Sequence, residues 1–529
     1  MRFEDEHLLA VAKPSGVATH RADEHGQDGM YEWVQAQRPD HHLSILHRLD
    51  KATSGVLVFG ASGDANRSLA AQFEDRRVAK RYELLVDRDE RHRRRMTCDE
   101  PIESSRRAGQ LLEASTDFER RTVGERFERY VARPHTGRNH QVRLHAAALD
   151  MPVLGDREHG GAPAARLFLH AAGLRIEHPV TGPLDLAVAR PESFDRVLDG
   201  ASPDHAPIAA MVALEARTLL FDPADTDCYL WIDRHHDGFD HVRVERLGDV
   251  VLVLNYDDSG APLPDSWLDA WSAATGSATI YEQRRPRGGG GGPARSVRGA
   301  DRDRFVVREL GCRYQIDLGA SATSSGLFLD QRETRRRLLG ADLADATVLN
   351  VFAHTGSLSV AAARAGAETL TLDLSPRYLD WARENLRLND LDPEDHDFLY
   401  GDALDWMDRL ARKGRTFDVV LVDPPSSSTS GKRRGGKGGS RWVAERDLHD
   451  LVARAARLAA PGGSVYVSTN LRRMTWSKFL EHVATGLDAA GRTGRIETGS
   501  LPLDHRTGPG DPPYLKAAWI GLDGARAIG

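Results

Sequence analysis

Asp50 lies in the run His47-Arg48-Leu49-Asp50-Lys51-Ala52-Thr53-Ser54-Gly55, just ahead of the apolar stretch Val56–Phe59, which puts it at a strand edge. A carboxylate so placed can act as a nucleophile at carbon or as a base. Taken alone, however, an Asp beside an Arg is an ordinary ion pair. A second pattern lies far downstream. Val348-Leu349-Asn350-Val351-Phe352-Ala353-His354-Thr355-Gly356-Ser357 reads as a strand, a turn and the start of a helix over Leu358–Ala365. A helix N-terminus with a nearby glycine lets backbone approach a ligand. Asp373, 17 residues after Gly356, ends the next strand, where an acid can hold ribose hydroxyls. Asp402 follows the third strand, at the adenine end of such a cradle, and Asp423-Pro424-Pro425 closes the fourth.

Two different scaffolds must carry these groups. In residues 1–200, short β-type runs such as Leu8–Ala12, Gly55–Phe59 and Tyr82–Val86 mix with helical ones, which predicts an α+β domain. A Pro/Asp/Ala-rich stretch over 201–221, with a helical run from Ile208 to Leu220, reads as a linker. Cys228–Ile232, Asp240–Arg246 and Val250–Asn255 follow as successive strands, predicting a small β-rich subdomain over 222–325. From 326 to 529 strands alternate with helices: Thr347–Phe352, Glu368–Asp373, Phe398–Gly401, Phe417–Asp423 and Ser464–Thr469. Alternation at this spacing implies a parallel, doubly wound α/β sheet of Rossmann-like type, with ligands beyond the carboxyl ends of its strands.

At 529 residues the chain exceeds one hydrophobic core, so one active site need not explain it. Its acidic start and the lack of a long apolar run predict a cytoplasmic protein without membrane association. Cys98, Cys228 and Cys312 form no ligand spacing, so no metal site is expected. A net charge of −7 means that any nucleic-acid contact must come from local patches. Two exist: 284–304 carries seven arginines against two aspartates, and 431–441 carries five basic residues and no acid.

Residues 5–195 resemble the RluA family of pseudouridine synthases. The resemblance rests on the HRLD run around Asp50, Val11-Ala12-Lys13-Pro14-Ser15-Gly16, Lys80-Arg81-Tyr82, Thr136-Gly137-Arg138-Asn139-His140-Gln141-Val142-Arg143, Leu154-Gly155-Asp156 and Leu169-His170-Ala171. It implies that Asp50 breaks the glycosidic bond of a uridine and that Arg143 keeps that carboxylate ionised. It further implies that Tyr82 packs on the uracil, that Arg48 fills the space of the extruded base, and that Arg138 and His140 contact RNA. No cofactor is implied for this half.

Residues 225–520 resemble class I methyltransferases, most closely the guanine-N7 methyltransferase domain acting on bacterial large-subunit ribosomal RNA and its cytosine carbon-5 relatives. Gly326-Leu327-Phe328-Leu329-Asp330-Gln331-Arg332, Asp373-Leu374-Ser375, Asn385-Leu386-Arg387-Leu388-Asn389, the Asp-Pro-Pro turn and Glu445-Arg446-Asp447-Leu448 carry it. The implied cofactor is S-adenosylmethionine, bound by Asn350, Phe352, Thr355, Gly356, Asp373, Leu374, Asp402, Asp423 and Asp330, with Pro424 and Asn470 at the substrate. Cytosine carbon 5 needs a cysteine adduct, and no cysteine follows Cys312, whereas guanine N7 has a free lone pair and no proton to lose. The expected protein is therefore a bifunctional modifier of RNA, with large-subunit ribosomal RNA as partner and no obligate protein partner. A transfer-RNA target for the first half and a non-catalytic RNA chaperone are the alternatives.

Overall fold

The computed structural model describes residues 3–286, 292–319, 324–429, 441–507 and 512–528. Residues 287–291 of the first basic segment and 431–440 of the second, and any RNA contact expected of them, lie outside these.

Leu8–Lys13 and Ser54–Gly60 are buried at every position, so they form the interior of a sheet covered on both faces. Eight strands of this ten-stranded sheet follow the order Phe3–Glu4, Leu8–Lys13, Ser54–Gly60, Leu169–His178, Ala79–Asp87, Phe127–Pro134, Thr116–Val123, Arg95–Cys98. Ser54–Gly60 runs parallel to Leu169–His178, and the latter pairs antiparallel with Ala79–Asp87, setting Ala171 opposite Tyr82. Asp50 enters from the loop before Ser54–Gly60, and the helix Gln141–Ala148 brings Arg143.

The middle unit holds the five strands Cys228–Asp233, Val242–Leu247, Val250–Asn255, Thr279–Arg284 and Arg295–Arg298 in that order. Val250–Asn255 and Thr279–Arg284 are parallel and joined through the helix Asp265–Thr275. The stretch read as a linker holds a helix that packs on both neighbours, with Ile208 and Val212 in a cluster of the N-terminal domain. This helix, Ala206–Thr218, packs Ala209, Ala210 and Ala213 into the cluster holding Trp231 and Trp271, and this burial is what fixes it.

The C-terminal sheet has seven strands in the order Asp397–Tyr400, Glu368–Asp373, Thr347–Val351, Phe417–Val422, Ala459–Thr469, Lys516–Leu522, Gly494–Thr498. The first five run parallel, and Lys516–Leu522 lies antiparallel between Ala459–Thr469 and Gly494–Thr498. The order reverses between Thr347–Val351 and Phe417–Val422, so the crevice for a ligand opens at their carboxyl ends. Ser375 and Thr475 cap the helices Pro376–Leu388 and Trp476–Ala490 through side-chain oxygens. No helix among the described residues is long and apolar enough to cross a membrane.

One C-terminal loop ties all three units together. Asp504 accepts from Arg332 Nη1 at 2.7 Å and from the backbone of Leu230 at 2.9 Å. Further on, Thr507 O accepts from Lys51 Nζ at 2.9 Å, and the Arg506 guanidinium lies where a side chain on Gly16 (φ +86°) would stand.

Candidate active sites

Asp50 lines a cavity of about 930 Å³ together with Arg48, Tyr82, Arg138, His140 and Arg143, so the six residues expected from sequence share one space. The loop that carries Asp50 is clamped from below. Buried Lys13 donates from Nζ to the carbonyls of Pro14, Val17 and Lys51 at 3.0, 2.6 and 3.1 Å, Ser15 Oγ donates to Ala52 O, and Thr19 bridges both backbone groups of Leu49. Burial holds the Lys13 ammonium well below the usual lysine range, an effect that the charge of Asp50 partly offsets.

Arg143 Nη1 stands 3.7 Å from Asp50 Oδ2. Its closer partner is a residue to which the sequence assigned no role: Asp156 accepts from Nε at 2.7 Å and from Nη2 at 2.6 Å, and Glu158 accepts from Nη2 at 2.8 Å. Burial pulls this guanidinium down, but the hydrogen bonds and charge of Asp156 outweigh it and raise its pKa. Arg143 is thus locked by a bidentate carboxylate and presents its remaining nitrogen to Asp50. Tyr82 has its phenol pKa raised, by burial first and by the charge of Asp50 second, so it rests protonated. Arg48 is exposed at the cavity mouth. Arg138 is tied by Nε to Glu113 O at 3.0 Å.

His140, in left-handed backbone (φ 53°), sets Nε2 3.9 Å from Asp50 Oδ1 and Nδ1 3.2 Å from His159 Nε2. His140, Glu158 and His159 bring ligand atoms within 4.8 Å of one another, yet Glu158 is already engaged by Arg143. His47, inside the signature run, is structural. Its Nε2 accepts from Val58 N, its ring stacks on Phe73, and burial lowers its pKa to about 3.

In the C-terminal sheet the turn after Thr347–Val351 holds Phe352, His354 and Gly356 at φ 59°, 51° and 74°. Two left-handed non-glycine residues in one turn mark stored strain at a functional position. Asp373 accepts from the backbone of His354 and of Ser375 at 2.8 Å each, and burial raises its carboxyl pKa despite these bonds. Leu374 and Tyr400 stand 53% and 59% exposed beside it, Tyr400 in register with Asp373 on the neighbouring strand. Large apolar side chains held in solvent at a strand-end crevice fit the flat, apolar faces of an adenine ring.

Several expected cofactor groups have other partners. Asn350 is buried and donates to Ser359 Oγ at 2.9 Å, and buried Thr355 donates to Gly326 O at 2.5 Å, so neither side chain turns to the crevice. Gly356 is needed for packing, since a Cβ there would stand 2.6 Å from Ala382 Cβ. Asp402 caps the helix Ala403–Arg412, accepting from Leu404 N and Asp405 N. Asp330 accepts from Tyr514 Oη at 3.0 Å and lines a separate cavity with Phe328 and Asn470.

Asp423 accepts from Ser468 Oγ at 2.5 Å, and burial raises its pKa to about 6. Asn470 Oδ1 accepts from Ser426 Oγ at 3.0 Å, joining the two strand ends. Pro424 is buried and Pro425 exposed, so the second proline offers the open face. Tyr400 and Tyr514 stand in no signature run, and Phe328 stands in one without a role, so only exposure or position in the fold reveals them.

Residues 7–148 match the RNA pseudouridylate synthase family, and residues 266–499 match the S-adenosylmethionine-dependent methyltransferase family. The chain is 30% identical over 320 residues to YwbD of Bacillus subtilis (strain 168), and the match takes in 58% of this chain and 78% of that protein. The chain belongs to the methyltransferase family of YwbD. It carries a pseudouridine synthase domain fused in front of the family's Rossmann-like domain.

Ribosomal RNA large subunit methyltransferase K of Neisseria meningitidis is 35% identical over 42% of the chain, and methyltransferase K/L of Allochromatium vinosum is 40% identical over 34% of it. The chain spans 64% and 24% of the lengths of these two relatives. SMU.776, solved in complex with SAH, shares the fold with a TM-score of 0.54 at 24% identity, over 68% of this chain and 89% of that one.

For the methyltransferase half, Asp373→Ala is expected to weaken S-adenosylmethionine binding by about 1.5–3 kcal/mol, the worth of a hydrogen bond to a charged group. Calorimetry on the full chain checks it. An unchanged affinity would place the cofactor elsewhere.

Proposed function

We propose that this chain is a bifunctional RNA-modifying enzyme that converts a uridine to pseudouridine at Asp50 and methylates guanine N7 in large-subunit ribosomal RNA with S-adenosylmethionine. The observation that carries the reading is that one chain holds two separate constellations: Asp50 facing the locked Arg143 in one cavity, and the acidic strand ends Asp373 and Asp423 on either side of Thr347–Val351 in another sheet.

In the first site the extruded uridine lies on Tyr82 while Arg48 occupies the space it leaves. Asp50 acts on the ribose as nucleophile or base, and the bond from C1′ to N1 breaks. The uracil turns, C5 joins C1′, the C5 proton is lost and N1 regains a proton, so the product is an isomer. Arg143, 3.7 Å from the carboxylate, supplies the positive charge that faces Asp50.

In the second site S-adenosylmethionine supplies an electrophilic methyl group. Asp373 holds ribose hydroxyls, Leu374 and Tyr400 flank the adenine, and Asn470 with the Asp-Pro-Pro turn positions the base. Guanine N7 suits this site because no proton need leave it. Cytosine carbon 5 does not, because Cys98, Cys228 and Cys312 are all buried and burial raises the thiol pKa of each. Asp423, half ionised near pH 6, supports a second reading in which it takes a proton from an exocyclic guanine amine.

The test is chemical. Methylation at N7 fixes a positive charge on the base and sensitises it to reductive cleavage. Large-subunit RNA treated with enzyme and S-adenosylmethionine, then with borohydride and aniline, is expected to break at one guanosine. A Cys98/Cys228/Cys312→Ser triple variant should give the same break. An uncleaved strand containing 2-methylguanosine would favour the amine, and 5-methylcytidine would reopen the cytosine reading.

A further inference from the structure

A second cavity, of about 330 Å³, lies between the middle sheet and the methyltransferase sheet, and four arginines face it against only two carboxylates, Glu245 and Asp330. One carboxylate is already satisfied by Tyr514 Oη, and burial raises the other's pKa toward its neutral form. The excess of positive charge is built in rather than incidental.

Arg234 sits in left-handed backbone (φ 54°) with its guanidinium 4.4 Å from the centre of the Tyr256 ring. Arg243 and Arg472 lie 5.6 and 4.8 Å from the Tyr514 ring. Stacking on aromatic faces holds guanidinium planes without using their N–H donors. Accordingly, the buried Nε of Arg234 has no hydrogen-bond partner among the described residues. Arg243 has Asp233 at 3.4 Å, whereas neither Arg234 nor Arg472 has a carboxylate within ion-pair distance among the described residues. Burial and the charges of Arg234 and Arg243 lower the pKa of Arg472, as crowded cations awaiting an anion should.

The cavity also touches the chemistry. Asn470 and Phe328 are part of its wall, and Phe328, 43% exposed, packs its ring 4.9 Å from His354 in the cofactor turn. An exposed aromatic ring between an arginine cluster and a methyl-transfer site has the form of a nucleotide subsite, with stacking for a base and guanidinium forks for a phosphate.

We propose that this cavity binds a nucleotide of the RNA strand next to the methylated base, its phosphodiester held by Arg234, Arg243 and Arg472 and its base stacked on Phe328. The inference rests on the methyltransferase reading above and adds the strand's path, with the middle sheet as the positioning surface.

The experiment measures methyl transfer from tritiated S-adenosylmethionine to transcribed large-subunit RNA, using the full chain and its Arg234→Gln/Arg472→Gln and Arg234→Lys/Arg472→Lys variants. The Gln pair is expected to raise KM for RNA at least tenfold with kcat little changed. It should also lessen the salt dependence of log KM by about one phosphate contact, a slope change of roughly 0.7–0.9. The Lys pair should recover most of the loss, and Phe328→Ala should raise KM without changing the salt slope. Calorimetry must show the affinity for S-adenosylmethionine unchanged in the Gln pair, which also reports that the domain is folded. A weakened cofactor affinity would assign the arginines to the methionyl carboxylate and overturn the proposal, as would an unchanged KM and slope. If the wild-type chain transfers no methyl group to this RNA, it is the methyltransferase reading that fails.

Discussion

Asp50→Ala is expected to abolish pseudouridine formation while leaving methyl transfer intact. The carboxylate is the group placed to act on the ribose, and none of its neighbours substitutes for it. Tyr82 rests protonated, and Asp156 and Glu158 are held by Arg143. The methyltransferase strand ends lie on a separate sheet with a separate hydrophobic core. Tritium release from RNA carrying carbon-5-labelled uridine reads the first reaction, and label from S-adenosylmethionine reads the second. Retained tritium release in the variant would remove Asp50 from the chemistry. A parallel loss of methyl transfer would mean that the variant is misfolded or that the two sites are not independent. The chaperone alternative predicts that Asp50→Ala changes nothing measurable.

Asp504→Ala is expected to cause the largest loss of stability of any single exchange considered. Arg332, Glu309, Arg335 and Asp504 are wholly buried and paired: Arg332 bonds Asp504 at 2.7 Å and Glu309 at 2.9 Å, and Arg335 also bonds Glu309. Removing Asp504 leaves two buried guanidinium groups sharing one carboxylate and strips Leu230 N of its acceptor. Breaking a buried pair in this way costs about 3–5 kcal/mol, and in a domain of this size that lowers the melting transition by roughly 10 °C. Scanning calorimetry of the full chain checks it, and a shift below about 2 °C would show that solvent or rearrangement compensates the charge.

The same pair fixes a sign for pH. Burial raises the Asp504 pKa, but Arg332 and His505 outweigh it and hold the carboxyl well below the usual range. A folded-state pKa below the unfolded one gives stability that is present above about pH 4 and lost as the pH falls further. Wild type should therefore lose stability steeply in acid, and Asp504→Ala should lose less.

How much of this was legible depended on sequence distance. Asp50, Arg143 and Tyr82 lie in contiguous signature runs, and the strand ends at Asp373 and Asp423 follow from the alternation of elements, so types and order sufficed. Asp156 stood in a recognised run, but its grip on Arg143 depends on a turn that folds back over 13 positions. Asn350, in the strand Thr347–Val351, and Thr355, in the turn after it, stand in the expected cofactor run, yet pleat and turn geometry aim them inward, where Ser359 and Gly326 take their hydrogen bonds. The helix Ala206–Thr218 reads as linker because much of its buried surface is alanine, a residue that signals a core only when large partners such as Trp231 and Trp271 are seen against it. The Arg332 network joins positions 23 and 172 residues apart, beyond any local pattern.

The account's central claim, two RNA modifications by one chain, is tested most directly by nucleoside mass spectrometry of large-subunit RNA incubated with the purified full chain and S-adenosylmethionine. The expected digest contains both pseudouridine and 7-methylguanosine, with pseudouridine alone when S-adenosylmethionine is omitted. A digest with neither nucleoside, although the protein is folded and binds S-adenosylmethionine, would contradict it.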